Sequence, residues 1–335
     1  MDLLANLATT FVAQVQSPAL AFLLGGMLVA ALGSRLEVPD AIYTFVVFML
    51  LMRIGLEAGM EIREADLGTI FLPVLAAAFV GCAIVVIGRA ILPRLPGIRT
   101  EDGIATAGLF GAVSASTLAA ALVVLEESGV AFEAWVPALY PFMDIPALIL
   151  AIVMASVHKQ RTSGEEGEAI GYRAIVVDSL RGSAVSALLL GIVLGLLTHP
   201  QSVFDSFYDP LFRGLLSILM LVLGIEAWSR LSELRGVAHW YAIYAFVAPL
   251  AHGLLAFGVG WLLHLATGFS PGGVILLSVI AASNSDISGP PTLRAGIPQA
   301  NPSAYIGAST AIGTPVAIGI GIPLYLTLAQ VVFGI

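Results

Sequence analysis

The chain has 335 residues, of which 59% are hydrophobic and only 11% charged, and its mean hydropathy is +0.98. A soluble domain carries roughly a quarter charged residues, so too little polar surface exists here to coat a globule. The composition points instead to a polytopic protein of the lipid bilayer, and a net charge of −8 argues against nucleic acid as a partner.

From the first residue, "MDLLANLATTFVAQ" has no basic segment and no clear cleavage site, so it reads as mature sequence rather than a removed signal peptide. A membrane helix needs about 20 mainly apolar residues. Ten such runs follow in order, over 17–33, 41–60, 69–92, 102–126, 134–157, 174–198, 210–229, 237–265, 271–295 and 303–333. The lone cysteine, Cys82, falls in the third and reads as a small core residue. His252 and His264 in the eighth lie among glycines and aromatics and read as packing residues.

Basic residues orient these spans. The odd-numbered loops carry Arg35, Arg94, Arg99, Lys159, Arg161, Arg173, Arg230, Arg235 and Arg294, whereas the even-numbered loops carry Arg63 alone. Odd loops are therefore expected in the cytoplasm and both termini outside, in the plasma (inner) membrane. The most polar segment, "HKQRTSGEEGEAIGYR" from His158 to Arg173, divides the chain into a first half at 1–158, a cytoplasmic linker at 159–173 and a second half at 174–335. Five spans in each half give the halves opposite orientations.

The halves share spacing as well. Gly26 and Gly195 are 169 positions apart, as are Gly55 and Gly224, Glu57 and Glu226, Gly103 and Gly272, Ser114 and Ser283, Ser116 and Ser285, and Pro146 and Pro315. One offset held through five spans reads as an inverted repeat, a signature of secondary transporters.

Spans 4 and 9 are equivalents under that offset, and each is interrupted by small polar residues. Span 4 reads "GLFGAVSASTLAAALVV" and span 9 reads "SNSDISGPPTL". Proline suits the first turn of a helix, so Ser288 followed by Gly289-Pro290-Pro291 reads as a cap and a restart. Ser114 or Ser116 serves the same end in span 4. A restarted half-helix presents unpaired N–H groups and the positive end of its dipole, and two converging starts make an anion site. Irregular backbone cannot face lipid, so both breaks are expected inside the protein.

The candidate anion-binding residues are Gly111, Ser114, Ser116, Thr117, Ser285, Ser288 and Gly289. The candidate sodium ligands are Asp286, Asn284 and Ser283, joined by the carboxylates Asp102 and Asp144. Asp286 at mid-depth costs about 3 kcal/mol on insertion scales, which a bound cation would offset. Asp144 lies between Pro141 and Pro146, where filling the backbone gap left by Pro146 explains it as well as a ligand role does. Asp102 begins span 4, a position the helix dipole alone favours for a carboxylate. Glu57 pairs with Arg53 at i,i+4 spacing, a structural arrangement.

"SNSDISGPPTLRAGIPQANPSAYIGASTAIGTPVAIGI", "GLFGAVSASTLAAAL", "ALYPFMDIPAL", "FYDPLFRGLLSILMLVLGIEAWSRLSELR" and "SPALAFLLGGMLVAALGS" together resemble the SbtA family of cyanobacterial-type sodium-dependent bicarbonate transporters. The resemblance implies an all-α, elevator-like secondary transporter of ten transmembrane helices in two inverted five-helix repeats, with helices 4 and 9 broken. It further implies a homotrimer with gate and core parts, inward movement of bicarbonate with Na⁺, and a cytoplasmic PII-like regulatory partner. The linker at 159–173 is shorter than is usual for the family. Three other readings remain: a sodium symporter for another small anion such as a carboxylate, a passive anion channel, and an intramembrane aspartyl hydrolase using Asp144 and Asp286.

Overall fold

The computed structural model describes residues 18–64, 67–163, 177, 181, 183–233, 239–285 and 289–335. Among these residues the chain is helical with no strand. In order the main helices are α1 (Pro18–Ala31), α2 (Asp40–Glu64), α3 (Leu67–Ile91), α4 (Thr100–Gly111), α5 (Ala115–Glu127), α6 (Tyr140–Ser163), α7 (Ser183–Leu197), α8 (Asp209–Glu233), α9 (His239–Thr267), α10 (Pro271–Ala282) and α11 (Gly289–Gly296). The C-terminal span, Ala304–Phe333, passes through two π-helical stretches, Ser309–Gly313 and Ala317–Gly321.

Among the described residues, seven helical runs are long and apolar enough to cross a membrane. Three shorter apolar helices, Ala21–Ala31, Ser186–Leu197 and Pro271–Ala282, fall within the predicted spans 1, 6 and 9. The last is short because the chain leaves the helix at Ser283.

Two groups of helices are distinguished by how they pack. In the first, α1 lies against α8 and α2 against α7. A Cβ on Gly26 would run into the Leu221 carbonyl oxygen, and one on Gly224 into that of Leu23. Gly55 and Gly195 meet the carbonyls of Leu188 and Leu56 in the same way. Backbone therefore touches backbone along both seams, the close approach that small residues permit between membrane helices. In the second group α3, α4 and α6 pack together, and α9 lies against α10 and the C-terminal span.

Burial differs sharply between neighbouring runs of the second group. The most apolar stretch of Thr100–Glu127, which holds the first break, is 100% buried, whereas that of Gly68–Arg94 is 33% buried. The interrupted run thus lies inside the protein, where its irregular backbone finds partners without facing lipid. Cys82 in α3 is partly buried and unpaired. His252 is buried beside Tyr244, with ring centroids 6.2 Å apart, and the His264 Nδ1 lies 2.7 Å from the Phe269 carbonyl oxygen.

Candidate functional site

The first break is three residues long. α4 closes with the Ala112 N–H donating to the Gly108 carbonyl at 3.1 Å, and the chain then runs extended through Ala112 and Ser114. Ser114 is the N-cap of α5: its Oγ accepts from the Thr117 N–H at 3.1 Å and lies 2.7 Å from the Ser116 Oγ. The extended conformation leaves the Val113 N–H outside either helix. Asp144 of α6 supplies its acceptor, with Oδ1 at 2.9 Å. Asp144 is wholly buried, and its carboxylate caps a break 31 residues away.

The second break begins in the same way. α10 closes with the Ser283 N–H donating to the Val279 carbonyl at 3.0 Å, and Ser283 is extended. The Ser283 hydroxyl donates to the Ile280 carbonyl at 2.7 Å and accepts from the Ser114 N–H at 2.9 Å. The Ser285 N–H crosses back to the Leu109 carbonyl at 3.0 Å. The two breaks are therefore hydrogen-bonded to each other, Ser114 to Ser283 at the repeat offset itself. α11 restarts at Gly289, as the sequence predicts, and the Gly289 N–H donates to the Ser285 Oγ at 2.8 Å. Asp286 and Ser288 lie outside the described residues.

Asn284 stands at the centre of this crossing and is wholly buried. Its Oδ1 accepts from the hydroxyls of Ser309 and Thr314, the latter at 2.9 Å. With its carbonyl end fixed in this way, the amide end is oriented, and Nδ2 has no partner. Thr117 Oγ1, in the first turn of α5, is likewise buried and unpartnered. A buried polar group left unsatisfied costs about 1–3 kcal/mol, and one accounted for by a bound ligand is the usual exception to full pairing. An N–H₂ donor and a hydroxyl beside a helix N-terminus suit a small oxyanion.

The remaining predicted residues take other places. Gly111 and Gly289 are packing positions: a Cβ on the first would strike Val85 and the Gly81 carbonyl, and one on the second Leu109 and Ser285. Asp102 is not brought to the crossing. It lies ten residues before Ala112, about 15 Å along the helix. There its Oδ1 accepts from the Asn301 N–H at 2.7 Å and its Oδ2 lies 3.6 Å from the Arg99 Nε. It ties the start of α4 to the start of the C-terminal span. Among the described residues no three His, Cys, Asp or Glu side chains gather as a metal site, so a cation here would depend on hydroxyl, amide and carbonyl oxygens with a carboxylate.

Sequence reasoning missed Ser309 and Thr314. Both stand in the quoted C-terminal stretch, and Thr314 precedes Pro315, which stands 169 positions after Pro146. The wide π turn at Ser309–Gly313 turns both hydroxyls to Asn284, and the apolar pattern does not reveal that turn.

The family model of the Na⁺-dependent bicarbonate transporter superfamily matches residues 18–330. The chain belongs to this superfamily. No curated protein matches it. The transporter's matched region runs through both breaks and through Asn284, Ser309 and Thr314, so the crossing described above lies wholly within the part that defines the family. Sodium is accordingly the ion on which such a transporter depends, and the helical membrane architecture agrees with a carrier rather than an enzyme.

Proposed function

We propose that the protein is a symporter that carries bicarbonate into the cell together with Na⁺, with the crossing of the two broken helices as its anion site. The observation that carries this reading is two buried donors without partners, Asn284 Nδ2 in the second break and Thr117 Oγ1 in the first turn of α5. Bicarbonate offers acceptor oxygens to both. Asp286 next to a bound anion is repulsive unless a cation neutralises it, and Na⁺ held by Asp286 with unwound carbonyls supplies that charge. Inward movement of an anion alone against an inside-negative potential costs about 2.3 kcal/mol per 100 mV. One Na⁺ per anion removes that cost and leaves the sodium gradient as the driving force.

The reading includes ten spans in two inverted halves. The offset of 169 positions supports it, as does the exchange of packing partners: α1 with α8 and α2 with α7. The α1, α2, α7 and α8 group serves as the gate, and the group containing both breaks as the moving core. The resemblance adds a homotrimer and a PII-like partner on the cytoplasmic face, and the basic loops place both termini outside. Cysteines substituted for Gly164 and Thr198 test the orientation: the first is expected to react from the cytoplasm and the second from outside.

The deciding experiment is uptake of radiolabelled bicarbonate into proteoliposomes with and without an inward sodium gradient. Uptake that depends on the gradient supports symport. Uptake indifferent to sodium indicates a channel, and full inhibition by excess formate or acetate transfers the reading to a carboxylate symporter.

A further inference from the structure

Away from the crossing, a second polar cluster surrounds Arg53, a cation in the middle of α2 that is 5% exposed. Its Nη1 donates to Glu57 Oε2 at 2.5 Å, and its Nη2 and Nε donate to Asp209 Oδ1 at 2.7 and 3.2 Å. The guanidinium carbon lies 4.5 Å from the Phe212 ring centroid and 5.4 Å from that of Phe204. Glu57 is on α2, and Asp209 and Phe212 are on α8, both helices of the glycine-seamed group. Phe204 starts the π-helical stretch Phe204–Tyr208 that leads into α8. One further partner comes from the other group. Glu126, in the last turn of α5, places Oε1 3.7 Å from Arg53 Nη2 and Oε2 3.8 Å from the Nη2 of Arg213 on α8.

The partners differ in kind. The Glu57 and Asp209 contacts are short, and they stay with Arg53 however the two groups move. The Glu126 contacts are long, and it is this length that sets Glu126 apart, since its side chain is 29% exposed against 28% for Glu57 and 50% for Asp209. Removing every partner from a buried charge is strongly unfavourable, but losing one of three is not, since the charge stays paired. Glu126 is therefore the partner that exchanges for water at low cost. It stands at the end of α5 opposite the crossing, the end that the basic loops place outside.

We infer that Glu126, bridging Arg53 and Arg213, is a releasable ionic latch between the stationary helices and the outward end of the broken helix, and that it biases the transporter toward the arrangement seen here. The inference rests on the proposed relative movement of the two groups.

The test uses spin labels on cysteines replacing Ser128 and Ser202 in a Cys82→Ala background, with pulsed electron paramagnetic resonance distances measured on protein in nanodiscs. Glu126→Gln is expected to raise the population of the longer distance about two- to fivefold, the range of a partly exposed ion pair. Added choline chloride should produce the same shift in the parent and none in the variant. Arg213→Gln removes one of the two bridges at a side chain that is 67% exposed and tolerates substitution, so it should shift the population in the same direction by less. Glu64→Gln, an exposed carboxylate at the end of α2, should shift nothing. Unchanged distances in both Glu126→Gln and Arg213→Gln overturn the latch, as does an equal shift in Glu64→Gln. Bicarbonate uptake by the parent is measured separately. A shift in distance without sodium-driven uptake sinks the transport reading and leaves the latch standing.

Discussion

The two breaks begin alike, and their described residues are served by different side chains. In the first, the carboxylate of Asp144 reaches from α6 to the Val113 N–H. At 169 positions after Asp144 stands Gly313, which has no side chain to reach anywhere. A Cβ there would meet Asn284 Nδ2 and the Phe110 ring. Space filled by a carboxylate in one half is filled in the other by an amide, held by Ser309 and Thr314 with its donor end unpartnered. Among the described residues each break thus keeps one buried donor without a partner, Thr117 Oγ1 at the first and Asn284 Nδ2 at the second.

Asn284→Asp tests the comparison most severely. The acceptor for Ser309 and Thr314 remains, but the donor becomes an oxygen. Uptake should fall ten- to a hundredfold, about the 1.5–3 kcal/mol of a hydrogen bond to a charged group, with little change in thermal unfolding of the purified protein. Equal uptake by Asn284→Asp would assign that amide to packing.

Asp144→Ala tests the opposite side. It strands the Val113 N–H in the interior and should cost about 1.5–3 kcal/mol of stability, read as a lowered unfolding temperature. Asp144→Asn keeps an acceptor and should recover most of that loss. Should Asp144→Asn instead abolish sodium dependence at full stability, the carboxylate is a ligand and not a cap.

Ser114→Ala removes the N-cap of α5, for about 1 kcal/mol, and with it the contact to Ser116. Thr117→Val is the gentlest change. Its hydroxyl has no protein partner, so stability should hold or rise slightly. The bicarbonate concentration for half-maximal uptake should rise two- to tenfold, about 0.5–1.5 kcal/mol. A loss of stability in Thr117→Val would mean that the hydroxyl serves the fold.

Much of this arrangement is written locally and was legible in the sequence. Small polar residues inside an apolar run, followed by Gly289-Pro290-Pro291, specify a restart, and the helix begins at Gly289. The Arg53–Glu57 pair is set by one turn of helix and is present. What escaped depends on which helices become neighbours. Asp144 reads from the sequence equally as filling the gap at Pro146 or as a ligand, and its bond to the Val113 N–H depends on α6 packing against the first break. Asp102, a candidate ligand by charge, spends its carboxylate on Asn301. Asp209 and Glu126 join Arg53 from helices that no local spacing brings to it. Ser309 and Thr314 reach Asn284 because the last span widens into π turns, which no residue pattern in it announces.

The complete burial of the most apolar stretch of Thr100–Glu127, against one-third burial of that of Gly68–Arg94, reaches beyond the site. A helix that touches acyl chains adjusts its tilt when the bilayer thickens or thins, at fractions of a kcal/mol per Å of mismatch. α3 is subject to that force. The buried stretch of α4 and α5 meets protein, so membrane thickness reaches the crossing second-hand, through α3 and the packed interface that α3 shares with α4.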